Sequence, residues 1–146
     1  IIFTSPNSDV GSDLLLEKIH DYTSSNDNVR FIKSAGRTLY HSLIKHAHCM
    51  IGNSSSCVIE APYLHTPVIL IGDRQKGRPL SSNIISSDYN YKSIINAYEK
   101  INNKKFINNI RNDIKYKPAK SLNKILNILE KTNLDKILYK GFYDVT

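Results

Sequence analysis

Three short stretches hold the residues able to do chemistry: Pro6–Gly11, Gly52–Ser56 and Gly72–Pro79. The most informative is Gly52-Asn53-Ser54-Ser55-Ser56, which falls between an apolar run and a segment of helical spacing. Its backbone N–H groups and hydroxyls would stand at the positive end of a helix dipole. That is anion-binding chemistry, with about 0.3–1 kcal/mol from the dipole before hydrogen bonds are counted. Small side chains let a phosphate approach the backbone. Plain N-capping explains one serine without any ligand; three in succession exceed that need.

Glu60 follows about one and a half turns later. A carboxylate there can accept hydrogen bonds from the 2′- and 3′-hydroxyls of a ribose, as the acidic residue of dinucleotide folds does. An exposed helix glutamate is the equally weighted alternative, although Ile59 and Ala61 beside it are apolar. The third stretch carries Arg74, Lys76 and Arg78 on a Gly-flanked loop. Forked contacts from such a loop can neutralise a diphosphate, and a merely solvated basic loop is the competing reading. Asn7, Ser8 and Asp9 sit in a Pro-initiated turn that turn chemistry alone explains.

Other candidates are weaker. His46 and His48 form an HxH pair with no third ligand spaced to complete a metal site, so neither a metal nor a cofactor is expected. Cys57 reads as a small buried hydrophobe. A serine hydrolase is a poor fit: the position of Ser56 should be glycine in a nucleophile elbow, and His65 follows too closely to fold back as the base.

These loops need elements to position them. Apolar runs at Ile1–Ser5, Val29–Lys33, His48–Ile51 and Pro67–Ile71 read as strands, with a short fifth at Asn83–Ser86. Helical spacing is found over Ser12–Thr23, with Leu14, Leu15, Ile19 and Tyr22 recurring, and over Thr38–Ala47, with Leu39, Leu43 and Ile44 inward. Further helices are expected at Cys57–Leu64, Tyr91–Ile101, Phe106–Asp113, Ala119–Lys131 and Asp135–Tyr139. Alternating strands and helices predict an α/β domain, a Rossmann-like parallel sheet with helices on both faces. Ligands of such sheets sit outside the carboxyl ends of the strands, where all three loops fall.

Composition bounds the rest. The chain has 146 residues, 40% hydrophobic and 23% charged, which suits one globular domain with its own core. Residues 1–146 are therefore expected to form a single domain, with 91–146 as a helical C-terminal extension. The formal net charge of +7 comes largely from lysines after residue 91, among Asn and Ile. A solvated helical surface accounts for it; no nucleic-acid motif accompanies it. No apolar run reaches the ~18 residues of a membrane span. Two cysteines make no disulfide framework, and a reducing, cytoplasmic setting is expected. The opening Ile1-Ile2-Phe3-Thr4 reads as a strand entered midway, the expectation being that a longer protein precedes it.

Taken together, the run Ile51-Gly52-Asn53-Ser54-Ser55-Ser56-Cys57-Val58-Ile59-Glu60-Ala61-Pro62 and the run Ile71-Gly72-Asp73-Arg74-Gln75-Lys76-Gly77-Arg78 resemble the hydrolysing UDP-N-acetylglucosamine 2-epimerases. Pro6-Asn7-Ser8-Asp9 and Ser82-Asn83-Ile84-Ile85 fit the same pattern. The resemblance covers roughly residues 1–100. It implies the C-terminal half of a GT-B-like two-domain enzyme. It places Ser54 and Ser55 at the UDP phosphates, Glu60 at the ribose hydroxyls, Arg74 and Asn7 at the nucleotide, and the Ala35 backbone near the uracil. The non-hydrolysing relatives carry Asp-Ser-Gly-Gly where Asn53-Ser54-Ser55-Ser56 stands, which favours the hydrolysing branch. The implied reaction is anti elimination of UDP followed by addition of water. It would release N-acetylmannosamine, or a 2,4-diacetamido analogue, towards sialic or legionaminic acid. The resemblance also implies a UDP-sugar substrate, catalytic carboxylates on an N-terminal domain of the same polypeptide rather than here, and a homo-oligomer. A UDP-sugar-binding domain of a GT-B glycosyltransferase is the alternative.

Overall fold

The computed structural model describes residues 1–116 and 121–136. It is α/β with parallel strands, and every strand but β4 is followed by a helix that the spacing predicts. In order, β1 (Ile2–Thr4) leads to α1 (Ser12–Ser24), β2 (Arg30–Ile32) to α2 (Gly36–His46), and β3 (Met50–Gly52) to α3 (Ser56–Tyr63). Then come β4 (Val68–Ile71), β5 (Ile84–Ser87), α4 (Tyr91–Ile101) and α5 (Lys104–Asn109). The ladders are β1–β2 and β3–β4–β5, all parallel. Residues 1–115 form one compact unit, and a second begins at residue 116. Within the second unit the described elements are α6 (Ser121–Lys131) and a 3-10 turn, Leu134–Lys136. Among the described residues no helix is long and apolar enough to cross a membrane.

The core of the first unit lies where α4 packs on the three-stranded ladder. Ile69 of β4 is fully buried against Ala97 and Ile101 of α4, with Cys49, Ile71, Ile85 and Phe106 packed around them. Full burial of one such aliphatic side chain contributes about 1.5–3 kcal/mol. Residues 91–101 are thus part of the sheet's packing. α4 starts cleanly because Asn90 Oδ1 accepts from Ser93 N at 2.8 Å and Ser93 Oγ returns an acceptor to Asp88 N.

A buried polar link joins three further segments. The Asn83 amide nitrogen donates to the Thr66 carbonyl, and the Thr66 hydroxyl donates to the Ile44 carbonyl at 2.7 Å. The end of α2, the turn into β4 and the start of β5 are therefore tied together.

Differences from the sequence reading are local. α5 spans Lys104–Asn109 instead of Phe106–Asp113, because Asn103 caps it early by accepting from Lys105 N at 2.8 Å. The Asn112 amide then closes a turn on Asn109 O. The apolar stripe of α1 is covered only at Ile19: Leu14, Leu15 and Tyr22 are half exposed, as is Leu39 of α2. α1 stands beside the short β1–β2 ladder, whose three-residue strands offer little surface to cover it. Parts of the helices expected at Ala119–Lys131 and Asp135–Tyr139 lie outside the described residues.

Candidate functional site

β3 and β4 run parallel with Gly52 opposite Leu70. The serine turn and the basic loop therefore leave the sheet at the same edge. Gly52 and the turn feed α3, whose inner face (Cys57, Val58, Ala61, Pro62) is buried and fixes its seat. The turn then folds on itself. Ser56 N donates to Ser54 Oγ at 3.3 Å, Cys57 N to Ser54 O at 3.1 Å, and Val58 N to Ser55 O at 3.0 Å. The first-turn amides are thus already engaged within the turn, so an anion here would meet the dipole and the hydroxyls more than free amides. Capping chemistry accounts for Ser54. It does not account for Ser55, which stands exposed at the N-cap position with no side-chain capping bond.

Glu60 projects from α3 toward α2. Its Oε1 is 3.8 Å from His41 Nε2, while its Oε2 is buried with no hydrogen-bond partner. A carboxylate oxygen in that condition is an unmet acceptor. Tyr40 of α2 lies near Ser56 and Glu60. Burial, chiefly, raises the Tyr40 pKa; the Ser56 hydroxyl lowers it and the Glu60 charge adds to the rise. Ala35 directly precedes α2 and is joined to this group through that helix. Cys57 is fully buried, and burial pushes its thiol up to about 11. It is therefore a packing residue, as expected, and not a nucleophile.

The basic loop meets the first loop through Arg74. With the Asn7 amide oriented by its partners, its oxygen accepts from Arg74 Nη1 at 2.7 Å and Nη2 at 2.8 Å. Asp9 Oδ2 lies 3.3 Å from Nη2. The basic loop also meets the serine turn: Gln75 Nε2 donates to Asn53 O at 2.8 Å. Three loops from three strands therefore converge on Arg74 and Gln75.

Gly72 opens this loop at φ 70°, and a Cβ there would lie 2.1 Å from the Tyr89 ring. Glycine takes this φ without strain, and any side chain here would have to displace the Tyr89 ring. The ring itself is largely exposed, with its hydroxyl accepting from Asp73 N at 3.4 Å.

Several of these partners are not visible in the sequence. Asp9 had turn chemistry as a sufficient explanation, and nothing in the spacing pairs it with Arg74. Gln75 is an unremarkable polar residue in a charged loop, and Tyr40 and His41 look like surface positions of α2. Only the spatial adjacency of strand ends could have pointed to them.

Residues 1–130 match the family described as UDP-N-acetylglucosamine 2-epimerase. Among curated proteins, the chain is 41% identical over 148 residues to a Campylobacter jejuni GDP/UDP-N,N′-diacetylbacillosamine 2-epimerase (hydrolyzing). It is 32% identical over 146 residues to the polysialic acid biosynthesis protein P7 of Escherichia coli. Each match covers 99% of this chain but only 38% and 37% of the respective relative. A Legionella pneumophila UDP-N,N′-diacetylbacillosamine 2-epimerase (hydrolyzing) is 38% identical over 104 residues, covering 71% of this chain and 27% of that relative. With the serine turn and the Arg74 loop leaving the sheet side by side, Glu60 on the helix that the turn feeds, and a family match over residues 1–130, the chain belongs to the UDP-N-acetylglucosamine 2-epimerase family.

Proposed function

We propose that this chain is the UDP-binding half of a hydrolysing UDP-sugar 2-epimerase with a GT-B-like, two-domain, cytoplasmic architecture. The observation that carries the reading is the convergence of three loops on Arg74 and Gln75, beside a serine turn with an uncommitted Ser55 hydroxyl. In this reading Ser54, Ser55 and Arg74 hold the diphosphate, with Asn7 steadying Arg74. Glu60 takes the ribose diol and the Ala35 backbone lies near the base.

The chemistry asked of such a half is leaving-group control. Elimination breaks the bond between the sugar's C1 and the UDP oxygen, and negative charge grows on the diphosphate as it departs. A helix dipole, hydroxyls and a pre-held guanidinium aimed at that oxygen favour the transition state over the ground state. Removal of the C2 proton and addition of water fall to carboxylates of the N-terminal domain, within hydrogen-bond reach of the sugar. The names of the Campylobacter and Legionella relatives favour a 2,4-diacetamido sugar over N-acetylglucosamine.

The test is turnover by the full-length protein. It should release UDP together with a free 2-epimerised amino sugar from one of these two UDP-sugars. UDP release with transfer of the sugar to an acceptor, and no free epimer, would assign a glycosyltransferase instead.

A further inference from the structure

One side chain fastens two loops that leave neighbouring strands. Gln75 is 6% exposed, and its Nε2 donates to Asn53 O while its Oε1 is buried with no partner. A buried amide with one end unmet is a poor device for stabilising a fold. A same-shaped apolar group would carry no unpaired acceptor. What the amide supplies is spacing. Asn53 immediately precedes Ser54, and Arg74 immediately precedes Gln75. The β3–β4 ladder ends with Gly52 opposite Leu70. Beyond it, the basic loop is anchored to β5 through Gly72 N and Ser87 O at 2.8 Å. The Gln75–Asn53 bond is what crosses from the basic loop to the serine turn.

We propose that Gln75 is a positioning residue that sets the Arg74 loop against the serine turn, so that a diphosphate is gripped from both sides. This rests on the diphosphate reading above. The bond acts on the pyrophosphate end of the ligand and leaves the nucleoside end to Glu60.

The test is calorimetric titration of the full-length protein with UDP and with uridine. Gln75→Met keeps length and approximate volume and removes the donor. It should leave the melting temperature within a few degrees of wild type, weaken UDP about tenfold, and change uridine by less than about twofold. Gln75→Glu supplies a readout that a merely structural role would not move. At pH 8 its carboxylate faces the Asn53 carbonyl and UDP affinity falls. Towards pH 5 protonation restores an O–H donor, and the variant approaches wild type measured at the same pH.

In an Arg74→Ala background, Gln75→Met should add little further loss, since nothing remains to be positioned. Full additivity, equal losses for UDP and uridine, or unchanged UDP affinity in both Gln75 variants would overturn the proposal. If Arg74→Ala also leaves UDP affinity unchanged, the diphosphate reading falls with it. If Arg74→Ala weakens UDP while the Gln75 variants do not, that reading stands and only the positioning role fails.

Discussion

Arg74→Ala is expected to weaken UDP binding by about 1.5–3 kcal/mol, roughly 10- to 150-fold in Kd. The figure follows from how the guanidinium is already occupied. Of its five N–H donors, one on Nη1 and one on Nη2 serve Asn7, and Nη2 also faces Asp9. Nε–H and one Nη1–H remain, pointing to opposite sides of the guanidinium, so each can give a single charge-assisted bond to a phosphate oxygen. Two charge-assisted bonds taken at face value would exceed the quoted range. The Arg74 side chain is 41% exposed and the Asp9 carboxylate opposes an arriving anion, so the pair is discounted to the worth of about one bond.

Arg74→Lys keeps the charge but has no fork, and cannot hold Asn7 and two phosphate oxygens together. It should fall between wild type and alanine. Isothermal titration of the full-length protein at low and high salt checks both variants. Wild type should lose more affinity with salt than Arg74→Ala, because the contact is partly exposed and screened. Equal Kd values for UDP in wild type and Arg74→Ala, or an equal loss for uridine, would refute the reasoning.

Glu60→Gln should weaken UDP and uridine alike by about 1–2 kcal/mol if, as proposed, the carboxylate serves the ribose and not the phosphates; a loss confined to UDP in titrations would contradict that assignment. Cys57 has its pKa raised from 9.0 to about 11 by burial, so the unfolded chain loses the thiol proton first. The Cys57 contribution to stability should hold below pH 9 and fall by up to about 3 kcal/mol as pH rises towards 11; denaturant unfolding of Cys57→Ala should show a correspondingly shallower alkaline fall, with Cys49 and Tyr40 still contributing. Gly72→Ala should cost about 1–2 kcal/mol, mainly from the positive φ, since the exposed Tyr89 ring can swing aside; an unchanged melting temperature would contradict it. Residues 1–146 by themselves should release no UDP from a UDP-sugar above background, and enzyme-dependent release would place the catalytic groups inside this chain.

The sequence carried the elements because hydrophobic period is a local property. The buried run of β4, the alternation around β2 and the spacing in α4 are each readable within a dozen residues. The start of α5 was misplaced because its signal is a single asparagine cap, easily missed among the Asn and Lys of that stretch. The site was legible by type and not by partner. Ser55, Glu60 and Arg74 stand out as residues, but what each is bound to depends on which strand ends lie side by side. The unexpected partners, Asp9 for Arg74 and His41 for Glu60, both come from elements distant in sequence.

Those partners give the site a direction. Arg74 and the Ser55 hydroxyl offer donors, whereas the Glu60 carboxylate, its side chain 38% exposed, is an acceptor. A ligand that satisfies both must carry acceptors at one end and donors at the other. Ser56 and Glu60 are four residues apart on α3, about 6 Å along its axis and on neighbouring positions of one face. That is the scale separating a phosphate from the vicinal hydroxyls of the ribose it esterifies. A bare anion would leave Glu60 unpaired beside it and repelled by it, and a neutral sugar would leave Arg74 with only Asn7 and Asp9. In the proposed reading, a nucleoside diphosphate lies along α3 with its phosphates at the serine turn and would answer both ends at once.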